Sequence, residues 1–271
     1  MKIATFNING IKARAEALPA WLDEARPDVA VLQEIKSVDE AFPRGMFEAM
    51  GYNVATHGQK SFNGVAILSK LPLEDVVRGL PGDEGDTQAR WIEATVVGRR
   101  AVRICGLYLP NGNPVELEGD GVPVAGGKYA YKLAWMARLE ARARALMAAE
   151  EVALMTGDYN VIPQAEDARR PEVWVEDALY RLPSREAYRR ILNLGFTEAF
   201  RARVPGPGHY SFWDYQAGAW DRNDGIRIDH FLLTPQCADL LADCQIDKAV
   251  RGRTEPGKPS DHVPVWVELD A

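Results

Sequence analysis

Hydrophobic positions along this chain fall into short runs that recur from end to end. They read "KIATFN", "DVAVLQE", "GVAILSK", "WIEATVV", "VRICGLYL", "EVALMTGD", "IRIDHFLL" and "VPVWVEL". Each is bounded by turn or breaker residues and is too short for a helix, so each predicts a β-strand. A longer period interrupts them over 128–150, where Tyr131, Trp135, Leu139, Ala143 and Leu146 form a stripe at helical spacing beside several arginines. The stretch 184–194, "SREAYRRILNL", opens at Ser184 and closes before Gly195, the start and stop signals of a second helix. Loops rich in Gly, Pro and acids at 79–86 and 111–127 have strand patterns on both sides, so neither reads as a domain linker. Many strands and few helices predict a sheet-on-sheet core with helices outside, one α/β domain over residues 1–271.

The predicted strands end in polar side chains. "IATFN" delivers Asn7, "VAVLQE" Glu34, "ICGLY" Tyr108, and "VALMTGDYN" both Asp158 and Asn160. Any one of these reads equally well as a turn former. Five together, with two Asp–His pairs at Asp229–His230 and Asp261–His262, point to a site built on rigid strand ends. Asn, Asp and Glu are hard oxygen donors that suit Mg²⁺ or Mn²⁺ rather than zinc, and no HExxH helix or cysteine pair competes. A magnesium site of one or two carboxylates ordinarily serves phosphate chemistry.

Composition narrows this only slightly. A chain of 271 residues, 46% hydrophobic, suffices for one large domain. The net charge of −7 argues against coating nucleic acid by bulk charge. It leaves room for a nucleic-acid enzyme, because a bound metal and a basic rim reverse the field locally. Cys105, Cys237 and Cys244 make neither a disulfide framework nor a metal spacing. "MKIATFNING" shows no charged leader before a long apolar stretch, and no run approaches a membrane span. The expectation is a soluble, cytoplasmic protein with no membrane partner.

Eight segments, in this order, carry a family resemblance: "FNINGIKAR", "DVAVLQEIK", "HGQKSFNGVAILSK", "GLYLPNG", "TGDYNVIP", "SFWDY", "GIRIDHFLL" and "KPSDHVPVW". Together they resemble the exonuclease III family of abasic-site endonucleases, within the endonuclease/exonuclease/phosphatase superfamily. The resemblance implies a four-layered α/β sandwich, two mixed β-sheets packed face to face and flanked by helices. It implies Mg²⁺-dependent hydrolysis of the DNA phosphodiester 5′ to an abasic site, with Mn²⁺ substituting, and 3′–5′ exonuclease and 3′-end-trimming activity. The expected partner is double-stranded DNA with abasic sites or blocked 3′ ends, bound by a monomer.

Position by position, the resemblance assigns Asn7 and Glu34 to the metal with Asp261 nearby, and brings Asp158, Asn160 and His262 to its edge. Asp158 would orient or deprotonate the attacking water, Asn160 would hold the scissile phosphate, and Tyr108 would contact its developing charge. Asp229 and His262 would form a hydrogen-bonded pair, and Trp213 would pack against the baseless sugar. Asn111 stands where some relatives carry glutamine and joins the DNA contacts. The stretches 113–127 and 255–258 are longer than the family pattern.

Lys36, Lys60, Arg90, Lys128 and Lys132 are candidates for a phosphate-tracking rim, since backbone contacts come mainly from Lys and Arg. His57, in "HGQK", is a further candidate for that rim, and His209 has no assigned role. Strand alternation decides between the histidines. It groups Ile226, Ile228, His230 and Leu232 on one face and Arg227, Asp229, Phe231 and Leu233 on the other, which leaves His230 structural and pairs Asp229 with His262. Two other functions stay open: a phosphatase or phosphodiesterase on other phosphoesters, and a non-catalytic regulatory protein of the same fold. The second would show broken site positions, yet Asn7, Glu34, Asp158, Asn160, Asp229, Asp261 and His262 are all present.

Overall fold

The computed structural model describes residues 1–271. In chain order its strands are β1 (Lys2–Asn7), β2 (Val29–Gln33), β3 (Asn53–His57), β4 (Val65–Ser69), β5 (Leu73–Arg78) and β6 (Trp91–Val97). They continue as β7 (Ala101–Tyr108), β8 (Ala153–Asp158), β9 (Thr197–Glu198), β10 (Asp229–Leu233), β11 (Leu241–Ile246) and β12 (Val265–Leu269). The α-helices are α1 (Ala17–Ala25), α2 (Arg44–Ala49), α3 (Lys128–Ala149), α4 (Leu182–Leu192), α5 (Ala199–Arg203) and α6 (Pro235–Ala238).

The strands form two six-stranded sheets, ordered β11-β12-β1-β2-β4-β3 and β5-β6-β7-β8-β10-β9. Each contains one parallel pair, β1 with β2 and β7 with β8, among antiparallel neighbours. Both sheets are therefore mixed, as expected.

Period-2 alternation sorts the side chains into layers. Ile3, Val31, Ile67, Ile92, Ile104, Leu154, Phe231 and Val267 share the cluster between the sheets. Their neighbours in sequence point outward. Ala4, Leu32 and Leu68 meet Leu18, Trp21 and Leu22 of α1. Trp91, Cys105, Met155 and Leu232 meet Trp135, Leu139, Ala143 and Leu146 of α3 and Tyr188 and Ile191 of α4. All three cysteines are free and buried. A Cβ on Gly106 would lie 2.5 Å from Val31 Cγ1, so this glycine lets the two sheets approach closely.

The strands that hydrophobic runs did not predict are β3, β5, β9 and β11, which are the four sheet edges. An edge strand is half covered, so its alternation is diluted; β5 buries no residue fully. Two helix details differ from expectation. Helix α3 buries Tyr129 and Lys132 but not Tyr131, whose hydroxyl reaches Asp86. Helix α4 begins at Leu182, and Ser184 is buried inside it, donating to the Ala178 carbonyl.

Candidate active site

The parallel pairs bring the polar strand ends together. Tyr108 of β7 is in register with Asp158 of β8, and Asp158 with Asp229 of β10, so the three occupy one row across the second sheet. From the first sheet, Asn7 at the end of β1 reaches over. Its Nδ2 donates to Glu34 Oε1 and to Asp158 Oδ2, both at 2.9 Å. One amide thus joins the two sheets at the site.

Two turns out of the strands are conformationally costly. Glu34 (φ +51°) and Asn160 (φ +45°) hold left-handed backbone, each at about 1–3 kcal/mol, a cost that persists only where surroundings impose it. Asn160 is held by donation of its backbone N–H to Asp158 Oδ1 at 2.9 Å. Gly157 is required for another reason: a Cβ there would fall 1.9 Å from the Leu107 carbonyl oxygen. β8 can lie against β7 and present Asp158 only because that atom is missing.

Asp158, Asp229 and His262 form one buried cluster, with ligand atoms all within 4.8 Å of one another. His262 Nδ1 lies 2.9 Å from Asp229 Oδ2, and its Nε2 lies 3.7 Å from Asp158 Oδ2. Ser211 Oγ donates to the same Asp229 oxygen at 2.6 Å. Burial alone would lower the His262 pKa, but the Asp229 and Asp158 carboxylates outweigh it and raise the pKa well above the usual imidazole value. Burial raises the Asp158 pKa, with His262 opposing and Asp229 adding to the rise. The Tyr108 phenol is held well above its usual pKa by burial and by the Glu34 and Asp158 charges, so it remains a donor. Arg90 stacks on its ring, 4.9 Å from the centroid.

Oxygen donors continue outward from Glu34. Lys36 Nζ sits 2.9 Å from Glu34 Oε2 and 2.5 Å from Asn9 Oδ1, and Asn9 Nδ2 reaches both oxygens of Asp261 at 3.1 and 3.2 Å. An ammonium therefore already stands among oxygens of Glu34 and Asn9. Asn9 went unnoticed in the sequence, although it lies in the motif containing Asn7.

A profile of the Endonuclease/Exonuclease/phosphatase family matches residues 4–262. The chain belongs to that family. It is similar to exodeoxyribonuclease III of Haemophilus influenzae, 34% identical over 99% of this chain and 100% of that protein. Two solved structures cover 100% of both chains. One is an AP endonuclease from Archaeoglobus fulgidus, with 35% identity and a TM-score of 0.89. The other is the 3′ phosphatase NExo from Neisseria bound to a product DNA hairpin, with 34% identity and a TM-score of 0.91.

Nucleases of the endonuclease/exonuclease/phosphatase family generally depend on a divalent metal, and the donor set of this member fits one. Its oxygens are hard, and Lys36 already holds positive charge among them. No helix of the protein is long and apolar enough to cross a membrane.

Several expected residues stand elsewhere than the sequence implied. Trp213 is fully buried, its Nε1 donating to Asn223 and its ring edge-on to Trp220 and Tyr210, so it does not face the site. Its neighbour Phe212 does: its ring centroid is 4.9 Å from that of His262, and it packs on the cluster containing Ile226 and Ile228. Adjacent residues of an extended segment face opposite ways, and the motif "SFW" does not say which aromatic points in.

Lys132 is not on the rim. It is wholly buried, with its pKa lowered to about 7 by burial against the pull of Asp177 and Asp158. Lys36 is engaged with Glu34, and His57 Nδ1 with the Trp91 carbonyl oxygen at 3.0 Å. Lys60 is exposed. Arg90, Asn111 and Lys128 line one groove together with Gln59, Gln88 and Phe62.

His230 is remote from the cluster, its Nε2 3.0 Å from the Val161 carbonyl oxygen and its ring against Tyr159 and Tyr188. Arg227 departs from the expected alternation. It precedes β10 and turns toward His230 Nδ1 at 3.2 Å, joining Asp167 and Glu198 in a buried ionic network.

Proposed function

We propose that the protein is a metal-dependent DNA repair nuclease that hydrolyses the phosphodiester 5′ to an abasic site and trims blocked 3′ ends. The observation that carries this reading is the buried Asp158–His262–Asp229 cluster, joined to Glu34 through Asn7. DNA as the substrate is supported by relatives whose names are exodeoxyribonuclease III, AP endonuclease and a 3′ phosphatase bound to a DNA hairpin.

In this reading Asp158 orients the attacking water and takes its proton, held by Asn7 and the Asn160 amide. His262, kept charged and oriented by Asp229, donates to a phosphoryl oxygen as negative charge builds. Tyr108 keeps its phenolic proton and donates to the same phosphoryl group, and Asn160 contributes its side-chain amide. Phe212, with Ile226 and Ile228, forms an apolar wall against which a deoxyribose without its base packs. Asn7, Glu34 and Asp261, the last oriented by Asn9, would hold a Mg²⁺ ion, with Mn²⁺ able to replace it; when bound, the ion neutralises phosphoryl charge. Lys60, Lys128, Arg90 and Asn111 track the DNA backbone, with the chain acting as a monomer. Residues 1–271 act as one catalytic domain, because β1 and β12, from opposite ends of the chain, pair in one sheet beside the site.

The test is incubation with an end-labelled abasic duplex, with Mg²⁺ or with EDTA, and sizing of the products. The reading expects one Mg²⁺-dependent cut at the 5′ side of the lesion. Cleavage of small phosphoesters with an untouched abasic duplex would favour the phosphatase alternative.

A further inference from the structure

Lys132 is the only buried lysine in the protein. It projects from α3, and its Nζ donates to two backbone carbonyls, Asn111 O at 3.0 Å and Asn160 O at 2.5 Å. Burying a lysine amino group is costly, and a leucine or methionine would fill this helix position at no such cost. Both carbonyls belong to loops that leave the catalytic strands β7 and β8. The first loop lies directly on the lysine stem, since a Cβ on Gly112 would fall 2.7 Å from Lys132 Cδ. The loops are also tied to each other, Asn111 Nδ2 donating to Asn160 Oδ1 at 3.1 Å.

Asn160 is thus gripped at both ends. Its carbonyl accepts from Lys132, its N–H donates to Asp158 Oδ1, and its Nδ2 donates to the Leu109 carbonyl at 2.9 Å. Its left-handed backbone needs such a grip. Without that amino group, two loop carbonyls lose a shared donor, and the Asn160 peptide is free to turn away from Asp158.

We propose that Lys132 is a positioning residue: its terminal amino group clamps the Asn111 and Asn160 carbonyls from beneath and so fixes Asn160 and Asp158 in their working orientation. This rests on the nuclease reading of the site.

The experiment uses Lys132→Met, Asn160→Ala and the double variant, with thermal melting to confirm folding. Single-turnover cleavage and binding of the abasic duplex are measured for each. Lys132→Met should slow cleavage by about 10- to 100-fold, the scale of a small misplacement of reacting groups, while binding changes little. In the Asn160→Ala background the lysine change should cost clearly less than in the unaltered protein, because the part that acts through the Asn160 side chain is already lost. Losses that multiply, or a cleavage rate left intact, would overturn the clamp. Should Lys132→Met not fold, Lys132→Gln, which keeps a donor on a shorter stem, is read on the same axes.

A second readout needs no activity. The side-chain amide resonances of Asn111 and Asn160 should move or broaden in Lys132→Met, and unchanged resonances would refute the proposal. If the unaltered protein does not cut the abasic duplex, the nuclease reading fails, and these resonances still decide the clamp.

Discussion

Nδ1 of His262 lies 2.9 Å from Oδ2 of Asp229, across the junction of the two sheets. Asp229 opens β10 in one sheet, and His262 sits three residues before β12 in the other. The contact exists only when the sheets are packed, so the site is assembled by the fold rather than by any local segment.

Asp158 is the group placed to accept a proton, and Asp158→Asn keeps its shape while removing that capacity. Loss of a general base should cost about 10²- to 10⁴-fold in the chemical step. Binding of abasic DNA, followed by fluorescence anisotropy, should be retained or tightened as a buried negative charge near the phosphate disappears. A folded variant cleaving at the original rate would remove Asp158 from the mechanism.

Asn9 connects Asp261 to the oxygens around Lys36. Residues that orient metal ligands typically affect metal affinity by about 10- to 100-fold, so Asn9→Ala should raise the half-saturating Mg²⁺ concentration by that factor. Excess Mg²⁺ should recover much of the rate. Calorimetric titration with Mg²⁺ checks the same shift without substrate; an unchanged titration would place the ion elsewhere.

The second buried network governs acid stability. Burial alone would raise the Glu198 pKa, but Arg227, and then His230, outweigh it and hold the carboxyl down to about 2, from its usual 4.5. A depressed native pKa means that the unfolded chain binds the proton first as pH falls. The stabilisation is therefore complete above about pH 4.5 and lost progressively toward pH 2, and amounts to roughly 3 kcal/mol. Urea unfolding between pH 6 and pH 2 should show a shallower pH dependence for Glu198→Gln, and identical slopes would contradict the assignment.

Central strands were legible because their apolar runs are buried on both faces, as in β2 and β8. The edges β3, β5, β9 and β11 were not, because half-covered strands mix polar and apolar residues without a clean period. Alternation in "IDHFLL" correctly separated Asp229 from His230, since both lie within β10. It failed for Arg227, which precedes the strand and is free of its pleat. Trp213 and Phe212 show the same limit, as a motif names adjacent aromatics without saying which is inside. Lys132 marks another: a lysine on a helix reads as solvated until tertiary packing seals it, and the two carbonyls that hold it are 21 and 28 residues away.

The most direct test of the account is a double-mutant cycle on the pair that joins the sheets. Single-turnover cleavage of an abasic duplex is measured for Asp229→Asn, His262→Asn and the double variant, with His230→Leu as the control. If Asp229 acts by charging and aiming His262, the double variant is little worse than the poorer single one, and His230→Leu cleaves at nearly the original rate while melting earlier. Losses at Asp229 and His262 that simply multiply, or a folded His230→Leu variant that no longer cleaves, would contradict it.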